Sequence, residues 1–169
     1  IFMLVWVNLH GMFVLGIVIW IIYLVGDLFE NPSKSWFNSS KTKAMLRGGV
    51  LSIVATFLSP SGVDIWEAIA SLGGNAYIKS RILEYQSANF QIHETWPFIL
   101  ILLLALASFS RSTVKTSWRH VFLVTAFASV ALYSSRMLPL FAIVSVPIVA
   151  QAFTGWLKED FPTHRIWTI

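Results

Sequence analysis

Five apolar blocks, separated by short polar stretches, follow an apolar segment at the start of the chain. The blocks are Met12 to Leu28, Ala44 to Leu58, Trp96 to Phe109, His120 to Ser134 and Leu138 to Leu157. An apolar helix of about 20 residues crosses a hydrocarbon core of about 30 Å, and flanking Trp, Lys and Arg side chains extend shorter ones. The pattern therefore predicts an all-α fold, a polytopic transmembrane helix bundle with about five spans.

The first residues form an N-terminal stub before these blocks. Residues 1–7 are apolar and have no positive flank ahead of them, so they do not resemble a signal peptide. We interpret them as the end of a transmembrane helix whose beginning is missing. The sequence is thus expected to be a single transmembrane helical domain, 1–169, and a fragment of a longer chain.

The longest polar connection, residues 59–95, has a helical pattern of its own. The turn Ser59-Pro60-Ser61-Gly62 ends the preceding helix, and Ser61 followed by Asp64 resembles an N-cap with an acid in the first turn. From there to Leu72, polar and apolar positions fall on opposite helical faces. The polar face holds Asp64, Glu67 and Ser71, and the apolar face holds Ile65, Trp66, Ile69 and Leu72. This pattern predicts an amphipathic helix in the bilayer interface.

Composition supports a membrane protein and excludes several other classes. Of the residues, 56% are hydrophobic and 12% are charged, against about 25% charged in soluble domains. The net charge of +4 does not indicate nucleic acid, because the Lys and Arg residues form no basic stripe. The absence of cysteine excludes disulfides, thiol catalysis and Cys-ligated zinc. We predict no metal site and no cofactor.

The distribution of basic residues predicts the orientation. If the chain crosses five times, residues 31–43, 110–119 and the tail from residue 158 share one side of the membrane. That side carries Lys34, Lys41, Lys43, Arg111, Lys115, Arg119, Lys158 and Arg165. The other side carries only Lys79, Arg81 and Arg136. The positive-inside rule therefore places loops 31–43 and 110–119 in the cytoplasm and loop 59–95 outside.

The candidate site residues lie on the predicted external side. They are Asn8, His10, Glu84, Gln86 and Arg136. Arg136, in a tight turn, could clamp a phosphate bidentately, or could reach lipid headgroups as an ordinary interfacial arginine. His10 could be a general base, a metal ligand or a pigment ligand, or could bond a neighbouring helix. Glu84 could be a general base or a ligand.

A purely structural role for Glu84 is a salt bridge to Lys79 or Arg81. Ionisable groups are costly near the bilayer and by default indicate function. We therefore expect Arg136, His10 and Glu84 to approach one another around one external cavity.

Four stretches carry a resemblance to a known family. They are Asn8-Leu9-His10-Gly11-Met12, Ser59-Pro60-Ser61-Gly62, Glu84-Tyr85-Gln86-Ser87-Ala88 and Arg136-Met137-Leu138-Pro139-Leu140-Phe141-Ala142. In order and spacing the chain resembles the later helical portion of bacterial multi-pass proteins similar to GT-C class glycosyltransferases, which depend on polyprenyl-phosphate sugars. The resemblance implies a multi-pass protein of the bacterial inner (plasma) membrane.

Two functions from different classes follow. The resemblance implies an enzyme fragment that uses a lipid-phosphate-linked sugar on the outer membrane face. Arg136 would then neutralise the phosphate of the polyprenyl carrier, and the catalytic acid would lie upstream of the residues present.

The alternative is a non-catalytic integral membrane subunit of a larger respiratory or photosynthetic complex. Its partners would be membrane lipids and other subunits, and His10 or His120 would contact a pigment or haem. Whether the chain is an enzyme stays open at this point.

Overall fold

The computed structural model describes residues 1–33, 35–110 and 117–160, the last four by backbone alone. Every regular element within these ranges is helical. The α-helices are α1 Phe2–Leu9, α2 Phe13–Glu30, α3 Ser40–Thr56, α4 Asp64–Gly74, α5 Ala76–Arg81, α6 Trp96–Ser110, α7 Trp118–Tyr133 and α8 Leu138–Asp160. Short 3-10 turns lie at Trp36–Asn38, Leu83–Tyr85, His93–Thr95 and Ser135–Met137. The predicted all-α class is confirmed.

The five apolar blocks correspond to five of these helices. Three helical segments are long and apolar enough to cross a membrane: Phe13–Glu30, His93–Ser110 and Ser135–Trp156. Helix α7 is apolar but shorter, and α3 begins with a polar turn. The chain is therefore a membrane-embedded helical protein, and the number of five crossings stays a prediction.

Residues Ile1–Ile82 and Leu83–Ile169 form two compact units. In the first, Val7, Phe13 and Ile17 form a buried core to which α1 and α2 contribute. Helix α3 packs closely on α2 because Gly49 has no side chain and lies against the indole ring of Trp20. These contacts hold α2 and α3 side by side.

A buried acid joins the end of α2 to the start of α3. The side chain of Asp27 is 3% exposed and forms an ion pair with Lys41. Its second carboxylate oxygen accepts a hydrogen bond of 2.9 Å from Nε1 of Trp36. Because both oxygens of the carboxylate have a partner, the chain can hold this charge at the end of an apolar helix.

The amphipathic segment is helical, as predicted, and α4 ends at Gly74. Trp66 faces the helices of its unit: its ring lies edge-on to Phe13 at 5.4 Å, and its Nε1 donates to Oγ1 of Thr56 at 3.1 Å. Leu72 is exposed although the pattern placed it on the apolar face. That α4 lies in the bilayer interface stays a prediction.

The predicted N-cap at Ser61 is wrong. The residue before α4 is Val63, and no side chain caps the helix. The turn beginning at Ser59 does form, since the backbone N–H of Gly62 donates to the carbonyl of Ser59 at 2.9 Å and Gly62 has a φ of +50°. Ser61 lies inside that turn, two positions before the N-cap position of α4, and is therefore too early to cap the helix.

In the second unit, α8 packs against both α6 and α7. Phe141 of α8 is fully buried and meets Phe98 of α6 edge-to-face, with the ring centroids 5.1 Å apart. Ala105 and Ala131 are also fully buried, which lets the three helices approach closely. The α7–α8 connection at one end of this bundle carries the candidate site.

Several of the basic residues on which the predicted orientation depends lie outside the described residues. Lys34, Arg111, Lys115 and Arg165 belong to the ranges that the structure leaves out, and the side chain of Lys158 does as well. The described cations on the predicted cytoplasmic side include Lys41 and Lys43, both exposed on α3. The predicted orientation stays a prediction.

Candidate functional site

The connection between α7 and α8 places Arg136. Helix α7 ends at Tyr133 and Ser134 adopts an extended conformation, with φ −141° and ψ 123°. The 3-10 turn Ser135–Met137 follows, and α8 begins directly after it at Leu138. The chain therefore reverses direction within a few residues, and Arg136 lies at the centre of the reversal.

Loop 83–86 is bonded to this turn through its backbone. The Ser134 hydroxyl donates to the carbonyl of Glu84 at 2.7 Å, and the backbone N–H of Ser135 donates to the carbonyl of Gln86 at 2.9 Å. The Ser135 hydroxyl lies 3.3 Å from the carbonyl oxygens of both Leu83 and Glu84. These contacts span about 50 residues of sequence and fix the loop backbone beside Arg136.

The side chains of Glu84, Tyr85 and Arg136 meet at this junction. A guanidinium nitrogen of Arg136 lies 3.5 Å from a carboxylate oxygen of Glu84. The Arg136 side chain is 33% exposed and that of Glu84 is 66% exposed. Cζ of Arg136 lies 5.7 Å from the centroid of the Tyr85 ring, within the range of a cation–π interaction.

This arrangement suits recognition of an anion. Arg136 has five N–H donors in a planar fork, and the ion pair joins one nitrogen to one oxygen at a long distance. The fork can therefore offer donors to a second acceptor, such as a phosphate oxygen. Tyr85 supports the guanidinium, and the anchored loop backbone limits the positions that Glu84 can take. The junction therefore offers a positive charge and hydrogen-bond donors to an anion.

The structure thus brings together Glu84, Gln86 and Arg136 among the predicted site residues. Glu84 pairs with Arg136, and Gln86 contributes its backbone carbonyl to the junction. Asn8 and His10 belong to the first compact unit. The convergence of His10 with Glu84 and Arg136 therefore stays a prediction.

Asn8 and His10 each form a local hydrogen bond. The Asn8 amide donates to the carbonyl of Leu4 in its own helix at 2.7 Å. His10 caps the C-terminal end of α1, and its Nδ1 accepts from the backbone N–H of Met12 at 3.0 Å. Both side chains are exposed. The Asn8 bond therefore lies within α1, and the His10 bond gives that residue a structural role in the α1–α2 connection.

Sequence reasoning missed the two serines that anchor the loop and the buried Asp27. The signal for Ser134 and Ser135 was their position between an apolar block and Arg136, where hydroxyls commonly bond backbone carbonyls. Asp27 could have been noticed as the acid inside the block from Met12 to Leu28, since a charge there requires a partner.

Across the part of the chain that the structure describes, no three His, Asp or Glu side chains lie close enough together to hold a metal ion. Comparison of the chain with models of known protein families, with curated proteins and with solved structures found no match.

Proposed function

We propose that this chain is the membrane-embedded part of a glycosyltransferase-like protein, and that Arg136 binds the phosphate of a lipid-phosphate-linked sugar. The observation that carries the proposal is the cluster of Arg136, Glu84 and Tyr85 at the α7–α8 connection. A partly exposed guanidinium with donors to spare, at the end of apolar helices, matches a ligand with an anionic head and an apolar chain.

The proposal includes a topology. Helices α2, α3, α6, α7 and α8 cross the membrane, and the α7–α8 connection and loop 59–95 lie on the outer side. The charge distribution along the sequence supports this orientation. A polyprenyl carrier would reach Arg136 from the outer leaflet with its chain beside the apolar helices. The protein would then be a multi-pass protein of the bacterial plasma membrane.

The role of the junction in this proposal is to bind and orient the carrier. Arg136 offsets the negative charge of the phosphate, and Tyr85 holds the guanidinium plane. An acidic residue outside residues 1–169 would act through its ionised carboxylate as the general base that deprotonates the sugar acceptor, as the resemblance implies. The described side chains then act in binding the donor substrate, and the bond-forming step depends on that additional acid.

A binding measurement tests the proposal. The full chain is placed in dodecylmaltoside micelles, which contain no phosphate, and the affinity for polyprenyl phosphate is measured beside that for polyprenol. A hydrogen bond to a charged group contributes about 1.5–3 kcal/mol, so Arg136→Gln should weaken phosphate binding by at least about tenfold. Arg81→Gln is the matched control, because Arg81 also lies over a tyrosine ring, with 5.0 Å from Cζ to the Tyr77 centroid.

Two results would contradict the proposal. One is equal affinity for polyprenyl phosphate and polyprenol, which would show that the phosphate is not recognised. The other is an affinity for polyprenyl phosphate that Arg136→Gln leaves unchanged. Either result would favour the non-catalytic subunit, whose apolar helices pack against partner chains.

A further inference from the structure

The ion pair between Glu84 and Arg136 differs from the other ion pair described above. In the first unit, Asp27 is buried and both of its oxygens have a partner. The Glu84 side chain is 66% exposed, and the contact to Arg136 is a single one of 3.5 Å. Exposed pairs of this kind are weak and easily exchanged. The carboxylate of Glu84 can therefore leave Arg136 at low cost.

The backbone of Glu84 is held much more firmly than its side chain. Its carbonyl accepts a 2.7 Å hydrogen bond from the buried Ser134, and the neighbouring carbonyl of Gln86 accepts one from the backbone of Ser135. When the Glu84 side chain rotates away, these bonds stay in place. The loop thus keeps the carboxylate close enough to return after an anion leaves.

We propose that Glu84 is an exchangeable counter-ion that occupies Arg136 in the empty site and is displaced by the phosphate of the incoming ligand. This inference rests on the proposed function, because the displacing group is the phosphate that Arg136 is proposed to bind. A carboxylate and a phosphate compete for the same guanidinium donors, and both cannot lie in the plane of the fork without repelling each other.

The consequence is weaker occupancy of Arg136 by every anionic ligand. An unpaired arginine at the end of apolar helices would bind the phosphate of any lipid headgroup. With Glu84 in place, a ligand must first displace a carboxylate that the loop holds nearby. Abundant phospholipids that contact Arg136 through the headgroup alone are then disfavoured, whereas a ligand with further contacts can still displace Glu84.

The experiment compares Glu84→Gln with the wild-type chain in the same phosphate-free micelles. The amide has the size of the carboxylate but lacks its charge, and the backbone bonds to Ser134 remain possible. Affinity for polyprenyl phosphate should rise by up to about fivefold, the factor that corresponds to an exposed pair. Glu84→Asp, which keeps the charge on a shorter side chain, should give a smaller rise. Glu94→Gln removes the same charge from the 3-10 turn His93–Thr95 and should change nothing.

Three further measurements separate the possible outcomes. With phosphatidylglycerol as the probe, Glu84→Gln should raise the affinity at least as much as with polyprenyl phosphate, because a carboxylate no longer competes with the headgroup phosphate for Arg136. In the Arg136→Gln background, Glu84→Gln should have no effect on either ligand. The gain should also shrink at 1 M salt, because salt screens an exposed pair.

Unchanged or weaker binding of polyprenyl phosphate by Glu84→Gln would overturn the inference, since the carboxylate would then not compete with the ligand. If Arg136→Gln still weakened binding, the proposed function would stand without it. If Arg136→Gln had no effect, the proposed function would fail, and the inference with it. The two failures are therefore distinguishable.

Discussion

Adjacent glycines in α3 provide a sharp test of how the first unit packs. A Cβ at Gly49 would lie less than 3.0 Å from atoms of the Trp20 indole, a separation that real Cβ atoms essentially never show. A Cβ at Gly48 would meet nothing within 4 Å. The variants Gly49→Ala and Gly48→Ala therefore add the same methyl group to the same helix, once into a contact and once into open space.

The expected magnitude follows from three contributions. Alanine favours a helix over glycine by about 1 kcal/mol, and this gain is common to both variants. Overpacking at Gly49 costs about 1–3 kcal/mol. Moving the Trp20 ring also disturbs its 2.8 Å hydrogen bond to the Met45 carbonyl, which contributes about 1 kcal/mol. The free energy of unfolding should therefore differ between the variants by about 2–4 kcal/mol, with Gly49→Ala the less stable.

The assay is reversible unfolding in mixed dodecylmaltoside and SDS micelles, followed by circular dichroism at 222 nm. Adding Trp20→Leu should remove most of the cost of Gly49→Ala, because the clashing ring is gone. If the two alanine variants unfold within about 0.5 kcal/mol of each other, the close approach of α2 and α3 at this position is refuted.

Two other stability predictions follow, both read out in the same unfolding assay. Ser134→Ala removes the donor to the Glu84 carbonyl and should cost about 1 kcal/mol, whereas Ser129→Ala, at an exposed site bonded to its own helix, should cost less than about 0.5 kcal/mol; equal costs would contradict the anchoring of the loop. Lys41→Gln removes the ion pair to the buried carboxylate of Asp27 and should cost about 1–2 kcal/mol, whereas Lys43→Gln, which changes an exposed lysine two positions further along α3, should cost less than about 0.5 kcal/mol. A cost at Lys41 no larger than at Lys43 would show that the ion pair does not stabilise the fold.

The helices could be predicted from the sequence because their signal is local. Each apolar block corresponds to a helix in the structure, and a segment inside a membrane has to be helical because a helix satisfies its backbone hydrogen bonds internally. The pattern was predicted to run to Leu72, and α4 ends two residues later at Gly74, since glycine and asparagine favour the end of a helix. The start of α4 was misread. Ser61 has the chemistry of a cap, but it lies two positions before Val63, which occupies the N-cap position of α4.

The site could be predicted only in part because its contacts join distant segments. Arg136 could be recognised as a candidate because it is a cation in a tight turn between two apolar blocks. That Glu84 would meet Arg136 rather than Lys79 or Arg81 depends on the serines at the end of α7, which bond a loop about 50 positions earlier. No periodicity in the sequence encodes that pairing. The contact between Gly49 and Trp20 was hidden for the same reason.

The proposed function requires that the chain crosses the membrane so that the junction with Arg136 faces outward. The protein has no cysteine, so single replacements of Ser71, Ser87 and Ser117 by cysteine report topology without background. In intact bacterial cells, a membrane-impermeant maleimide should label Ser71→Cys and Ser87→Cys, and should label Ser117→Cys only after the cells are permeabilised. Labelling of Ser71→Cys and Ser117→Cys from the same side would contradict the five-span topology and the outward position of the proposed site.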